Sequence, residues 1–478
     1  MGLSFYRFTF KHRTMSKHLF SEFPSVSAKA WKQKIQVDLK GADYNETLVW
    51  TAPDGIDVKP FYHPDQAPEP LPIPVPGHWK ICESVYAQDA AIANKIAKNA
   101  LDKGAESLAF TISTEEIQPH ILLEGIPLER CPVYLELNFH SKDYLDRLHQ
   151  YLAGKDHQIY LLIDSIGKLA RTGNWYFNLN QDHEILEAIL KSDYSFQSII
   201  SVNLGLYQNA GATIPQQLAY TLAHLNEYFN YFSQPPSRTL KGKIVLKTAT
   251  GPNYFFEIAK LRALRLLYSS LAREYGLRED CHILAQPSKR NKTLYDYNVN
   301  MLRTTTESMS AVLGGADSVC NLPYDAIFHK SNAFGNRIAR NQLLILKHES
   351  YFEKAANPAE GSYYIEELTR SLAQSALDIF KSIEKGGGFL KQLKNGIIQK
   401  KIAQSADREQ ALFDEQSLVL IGTNKFLNPE DQMHQEIEIY PFLKKRHRKT
   451  LLPPILERRL SEQLEEERLK EEQTREEA

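Results

Sequence analysis

The pattern of apolar and polar positions changes twice along the chain. Between residues 20 and 75 apolar positions are sparse: Trp31–Leu39 is a short amphipathic stretch, and Trp50–Gly55 reads as a strand entering a turn, because Pro53-Asp54-Gly55 presets turn backbone. Seven prolines from Pro60 to Pro76 fix φ and remove N–H donors, which predicts an extended arm laid on another surface, either its own barrel or a partner subunit. From about residue 80, short β-prone runs alternate with helical periodicity. The runs are Ser107–Ile112, Ile121–Glu124, Val133–Asn138, Gln158–Asp164, Ile199–Gly205, Lys243–Thr250, His282–Gln286 and Ser318–Leu322. The helical stretches include Ile92–Lys103, Glu184–Lys191, Pro215–Phe232 and Tyr254–Tyr275. Strands alternating with helices predict an α/β fold with a parallel sheet, and eight such units fit a (β/α)8 TIM barrel; a doubly wound open sheet is the alternative.

Beyond residue 330 the pattern is helical, with amphipathic candidates at Ile338–Ser350 and Leu368–Glu384, the latter stopped by Gly386-Gly387-Gly388. The basic run Lys444–Lys449 and the acidic segment 455–478 predict a solvated terminal helix, with partner docking as the sharper alternative. The expected division is an extended Pro-rich arm over 1–78, the barrel with its helical C-terminal part over 79–430, and a charged helical tail over 431–478.

Charge and composition narrow the classes of function. Lys and Arg number 57 against 58 Asp and Glu, so no net charge draws the chain to nucleic acid or anionic lipid. No apolar run reaches the length of a membrane span. Cys82, Cys131, Cys281 and Cys320 are far apart, with no C-x-x-C pair, which predicts reduced, buried thiols, no zinc site and a cytoplasmic protein. Residues 1–19 are basic and aromatic but lack an apolar h-region. Met15-Ser16-Lys17 reads as the true start, with 1–14 an extension. There is no P-loop, no strand-associated G-x-G-x-x-G, no H-E-x-x-H and no G-x-S-x-G, and Gly314-Gly315 is expected to close a helix.

Three segments are too distinctive to be filler. The first is Ala210-Gly211-Ala212-Thr213 leading into Gln217–Ala223. The second is Tyr254–Arg265. The third begins at Asn300 and Arg303-Thr304-Thr305, and continues through Ala311–Ser318 and Arg337-Ile338-Ala339-Arg340-Asn341 to Gly361–Glu366. Together with Trp50, Asp54-Gly55-Ile56 and Pro60, they resemble in order and spacing, over residues 30–425, the adenosylcobalamin-dependent acyl-CoA mutases, with methylmalonyl-CoA mutase the nearest in kind. The resemblance implies an N-terminal arm and a (β/α)8 barrel that admits the acyl-CoA along its axis. It also implies a separate flavodoxin-like domain whose D-x-H-x-x-G histidine ligates cobalt, and the interconversion of methylmalonyl-CoA and succinyl-CoA in propionate metabolism.

The chain departs from the catalytic pattern of that family. No D-x-H-x-x-G occurs in its 478 residues, so no cobalamin-binding flavodoxin-like domain is expected. Catalytic members read S-G-Y-H before A-G-A; here Leu206 takes the histidine position and Asn209 the position of an acid. Leucine donates neither hydrogen bond nor proton. The family's R-Q-Y-A-G-F-S-T aligns with Trp79–Tyr86, placing Ser84 near the tyrosine. R-T-x-x-Q becomes Arg303–Glu307, and S-L-H-T-N becomes Ser318–Leu322. Within the family, heterodimeric enzymes pair a complete large (alpha) subunit with a small (beta) subunit whose barrel is degenerate. The resemblance therefore implies an isomerase complex in which this chain is the non-catalytic subunit. Adenosylcobalamin would be held by the large-subunit partner, with no catalytic, cofactor or metal residue expected here. A remnant mouth is expected at Asn203, Leu206, Tyr207, Lys247 and Cys320, with vestigial CoA binding left open. Arg262, Arg265, Arg303 and the Arg337–Asn341 motif are expected as ion pairs or loop anchors. The alternative is an active acyl-CoA mutase barrel that takes its cobalamin domain from a separate chain.

Overall fold

The strands form where β-branched and aromatic residues recur and are buried on both faces, as in a parallel sheet covered by helices. The computed structural model describes residues 22–66, 69–232, 240, 242–443 and 448–477. The basic N-terminal segment with Met15, and residues 444–447 of the basic run, lie outside the described residues. Eight parallel strands follow in chain order: β1 (Lys80–Ala87), β2 (Ser107–Ile112), β3 (Val133–Leu137), β4 (Ile159–Ile163), β5 (Ser198–Asn203), β6 (Val245–Thr250), β7 (His282–Pro287) and β8 (Ser318–Cys320). Each pairs with the next, and β8 pairs with β1 through Ser318 opposite Lys80 and Cys320 opposite Cys82, closing the barrel. This is the (β/α)8 architecture the alternation predicted.

One strand was misplaced by the sequence pattern. Ile121–Glu124 is not a strand; Pro119 opens a short helix, Pro119–Leu122, because its fixed φ suits the first helical position and its missing N–H is not needed there. The remaining strand is β1, whose Glu83 and Ser84 interrupt the apolar run. Glu83 points out of the barrel and pairs with Arg340 at 3.0 Å.

The helices used below are α1 (Ala28–Asp38), α2 (Ala90–Asp102), α3 (Ser165–Thr172), α4 (Gly205–Asn209), α5 (Ile214–Phe232), α6 (Tyr254–Glu274), α7 (Val299–Leu313), α8 (Ala333–Leu344), α9 (Tyr363–Lys385), α10 (Ile397–Asp414) and α11 (Glu462–Glu477). Gly314 caps α7, and Gly386 caps α9; Gly387 takes φ +100°, a conformation that favours glycine.

The described residues divide into two compact units: those of 22–50 with 57–66, and those of 51–56 with 69–477. In the smaller unit, Ser27 caps α1 at the Ala30 amide, Ala28 N donates to Asp65 Oδ2 at 3.0 Å, and Trp31 stacks on Phe61 at 5.5 Å. In the larger unit, residues 69–79 run without regular structure along their own chain. Leu71, Ile73 and Trp79 are buried, and Leu71 N donates to Glu366 Oε2 at 3.3 Å. The four cysteines are free and buried. No described helix is long and apolar enough to cross a membrane.

Candidate functional site

The C-terminal end of a (β/α)8 barrel is where the loops that carry chemistry gather, and its lumen is filled by inward side chains in layers. Here the N-terminal half of the lumen is closed. Tyr134 from β3 is fully buried, and its hydroxyl hydrogen-bonds both His282 Nε2 and Ser318 Oγ at 2.7 Å. Tyr160 from β4 lies against His282 with ring centroids 4.6 Å apart and against Tyr134 at 5.2 Å. Beside and above them Cys82, Leu162, Val245, Leu284 and Cys320 complete one apolar cluster across the axis. Burial pushes the His282 imidazole down to about 4, so it is neutral in the folded protein at pH 7. Burial holds the Cys82 thiol and the Tyr134 phenol in their protonated forms.

The upper lumen is polar and half-open. Ser84 is exposed, and Glu136, Asn203, Lys247 and Gln286 are partly accessible. Lys247 Nζ donates to Glu136 Oε2 at 2.6 Å, and this ammonium, with Arg171 at 3.9 Å, holds the Glu136 carboxyl below the usual carboxylate range. The pair gives the mouth a fixed dipole but places no free acid or base there.

The segment that follows the barrel helices binds the same end. Leu451 N donates to Gly173 O at 3.0 Å, Ile455 N to Ala170 O at 2.8 Å, Arg458 N to Asn209 O at 3.0 Å and Leu460 N to Arg290 O at 2.8 Å. Residues 451–460 therefore strap the loops after β4, β5 and β7. At Gly173 a Cβ would lie 2.5 Å from Leu452 O, so glycine permits the close approach, and its φ of +76° suits glycine as well. Glu457 Oε1 accepts from Asn209 Nδ2 at 3.0 Å, bringing a carboxylate to the end of α4. The tail is thus not a solvated run: Leu452, Ile455, Arg459 and Glu465 are buried, and Glu465 Oε1 accepts from Leu294 N at 2.8 Å. A run of charges is legible in sequence; partners more than 160 residues upstream are not.

The structure separates the residues expected at the mouth. Asn203 ends β5 and its Oδ1 accepts from Gly205 N at 2.9 Å. Lys247 faces Glu136 in the upper lumen, and Cys320 belongs to the apolar cluster beneath. Leu206 is 2% exposed on α4. Tyr207 is buried among helices, with Tyr220 and Phe389 packed on its ring, and its hydroxyl pairs with His224 Nδ1 at 3.0 Å. His224 Nε2 meets Asp164 Oδ1 at 2.9 Å. This relay is sealed and joins α5 to the N-terminus of α3, where Asp164 caps the Gly167 amide.

The retained motifs serve as anchors. Arg262 on α6 pairs with Glu366 at 2.6 Å with both side chains buried, and Arg265 holds Asp317 at 2.6 Å and the Gly315 carbonyl. Arg303 donates to Thr293, Asn300 and the Ile421 carbonyl. Asp54 Oδ1 accepts from Ile214 N at 2.7 Å, tying the Asp54-Gly55-Ile56 motif to the residues after Ala210–Thr213. Glu307, standing where the catalytic pattern has glutamine, is buried beside Lys292 at 2.8 Å and accepts from Asn291 Nδ2 at 2.7 Å. The two buried charges answer each other, so this position is part of the core. Among the described residues no group of three or more His, Cys, Asp or Glu side chains is placed to hold a metal ion.

Comparison with known proteins agrees with this geometry. The sequence profile of the methylmalonyl-CoA mutase family matches residues 111–472. A methylmalonyl-CoA mutase small subunit from Porphyromonas gingivalis is 34% identical over 457 residues, covering 86% of this chain and 71% of that protein. A small subunit of the same enzyme from Streptomyces virginiae is 29% identical, covering 82% and 69%. The mitochondrial human methylmalonyl-CoA mutase is 29% identical, covering 84% of this chain and 61% of that protein. The chain belongs to the methylmalonyl-CoA mutase family.

Proposed function

We propose that this chain is the small, non-catalytic subunit of a methylmalonyl-CoA mutase. It would support a large subunit that binds adenosylcobalamin and interconverts methylmalonyl-CoA and succinyl-CoA. The observation that carries this reading is the closed lumen. A barrel that admits an acyl-CoA along its axis needs a clear axis, and here Tyr134, Tyr160 and His282 fill it. Leu206 adds to it, because the side chain at the position of the carbonyl-polarising histidine has no proton to share.

In this reading adenosylcobalamin is held by the large subunit rather than by this chain. The buried His224 pairs through Nδ1 with the Tyr207 hydroxyl at 3.0 Å, and its Nε2 lies 2.9 Å from Asp164 Oδ1. The loops at the C-terminal end are bonded to residues 451–460. The isomerase activity therefore belongs to the complex. The test is to prepare the chain with and without a complete large subunit, and to follow sizing chromatography together with mutase turnover. A stable complex of one copy of each, active only when the large subunit is present, is the expected result. Failure to associate at micromolar concentration would overturn the subunit reading.

A further inference from the structure

Outside the lumen, a hollow of about 430 Å³ opens between α2 and α8. Its charges are unbalanced. Lys103, Arg337 and Arg340 face it, and Glu83 is the one carboxylate lining it. Lys103 and Arg337 are exposed at the rim, and neither forms an ion pair among the described residues. Arg340 is 5% exposed; its Nη1 donates to Glu83 Oε2 at 3.0 Å, while its Nε has no hydrogen-bond partner. Arg340 lines the hollow, and among the described residues Glu83 is its one ion-pair partner. Asn99, Ser331 and Asn336 add neutral hydrogen-bonding groups, and Ile96 and Phe334 form apolar walls, with the Arg337 guanidinium 5.4 Å from the Phe334 ring centre. Asn332 is already committed: it caps the Gly335 amide and donates to Asp325.

We propose that this hollow binds the phosphoryl group of a small phosphate ester, held by Lys103, Arg337 and Arg340, with the organic part against Phe334 and Ile96. Guanidinium forks suit the oxygens of a phosphoryl group, and three cations against one carboxylate leave a net charge that such an anion neutralises. The inference is independent of the mutase reading, since it concerns the outer face of the barrel rather than its lumen.

Calorimetric titration of the full chain with inorganic phosphate, AMP, coenzyme A and adenosine tests it, beside the doubly substituted Lys103→Ala/Arg337→Ala protein and the single variant Arg337→Ala. Both substituted side chains are exposed, so an unchanged melting temperature certifies the fold. The expected result is saturable binding of the phosphate-bearing ligands, weakened about tenfold or more in the double variant, with no binding of adenosine. Equal binding of phosphate and AMP assigns recognition to the phosphoryl group alone; tighter binding of AMP or coenzyme A adds the contact with Phe334. The proposal fails if no phosphate-bearing ligand saturates at millimolar concentration, if adenosine binds as tightly as AMP, or if the folded variants bind as the natural chain does.

Discussion

The lower and upper halves of the barrel lumen have the same strands around them and opposite characters. Below, tyrosines, a neutral histidine and apolar side chains make a plug in which the Tyr134 hydroxyl pairs with His282 and Ser318. Above, a Lys247–Glu136 pair sits partly in solvent with Arg171 nearby. The lower half contributes to stability, because each buried ring adds apolar area and the tyrosine hydroxyl and histidine are satisfied there. The upper half lies at the end of the barrel where loops carry chemistry, and in the proposed subunit role it supplies none. The difference separates what the barrel needs in order to fold from what it needs in order to react.

Substitutions in and around the two halves test the difference. Glu307→Gln removes one member of the fully buried pair with Lys292 and leaves an ammonium without its counter-charge; a loss of about 3–5 kcal/mol in denaturant unfolding is expected. Leu206→His restores the residue type of catalytic relatives at a site that is 2% exposed. It should destabilise the chain by about 1–3 kcal/mol without giving turnover, because it buries a polar ring above an unchanged plug.

Tyr134→Phe deletes the hydroxyl shared by His282 and Ser318 and should cost about 1–2 kcal/mol by thermal unfolding. The neutral His282 also gives a pH dependence. Its folded value of about 4 lies below that of a free histidine, near 6.5, so the unfolded chain binds more protons between those values. Its contribution to stability is complete above pH 6.5 and is lost as pH falls toward 4; His282→Gln should flatten the unfolding profile in that window. The smallest effect is expected at the mouth, where Lys247→Met should change stability by less than about 1 kcal/mol. A larger loss there than at Tyr134 would reverse the ranking of the two halves.

The barrel was legible because seven of its strands announce themselves as apolar runs between helices. β1 was not, because Glu83 and Ser84 carry polar atoms where a buried strand is expected to be apolar, and Glu83 is answered only by Arg340, 257 residues away. Ile121–Glu124 misled for the reverse reason: four residues cannot distinguish a strand from a helical turn, and Pro119 was the local signal that decides it. At the site, Leu206 and Glu307 could be read by their departure from the family pattern. The plug could not, since Tyr134, Tyr160 and His282 meet only through barrel closure. The tail's strap was likewise hidden, because its charges find partners on distant loops.

The proposed subunit role requires that this barrel do no chemistry of its own. The most direct test is to incubate the isolated chain with methylmalonyl-CoA, adenosylcobalamin and a cobalamin-binding domain supplied as a separate chain, and to measure succinyl-CoA. The account predicts no product above that of the cobalamin-binding domain alone. Sustained turnover dependent on this chain would contradict it, and would mean that the lumen opens and that another residue does the work of the histidine replaced by Leu206.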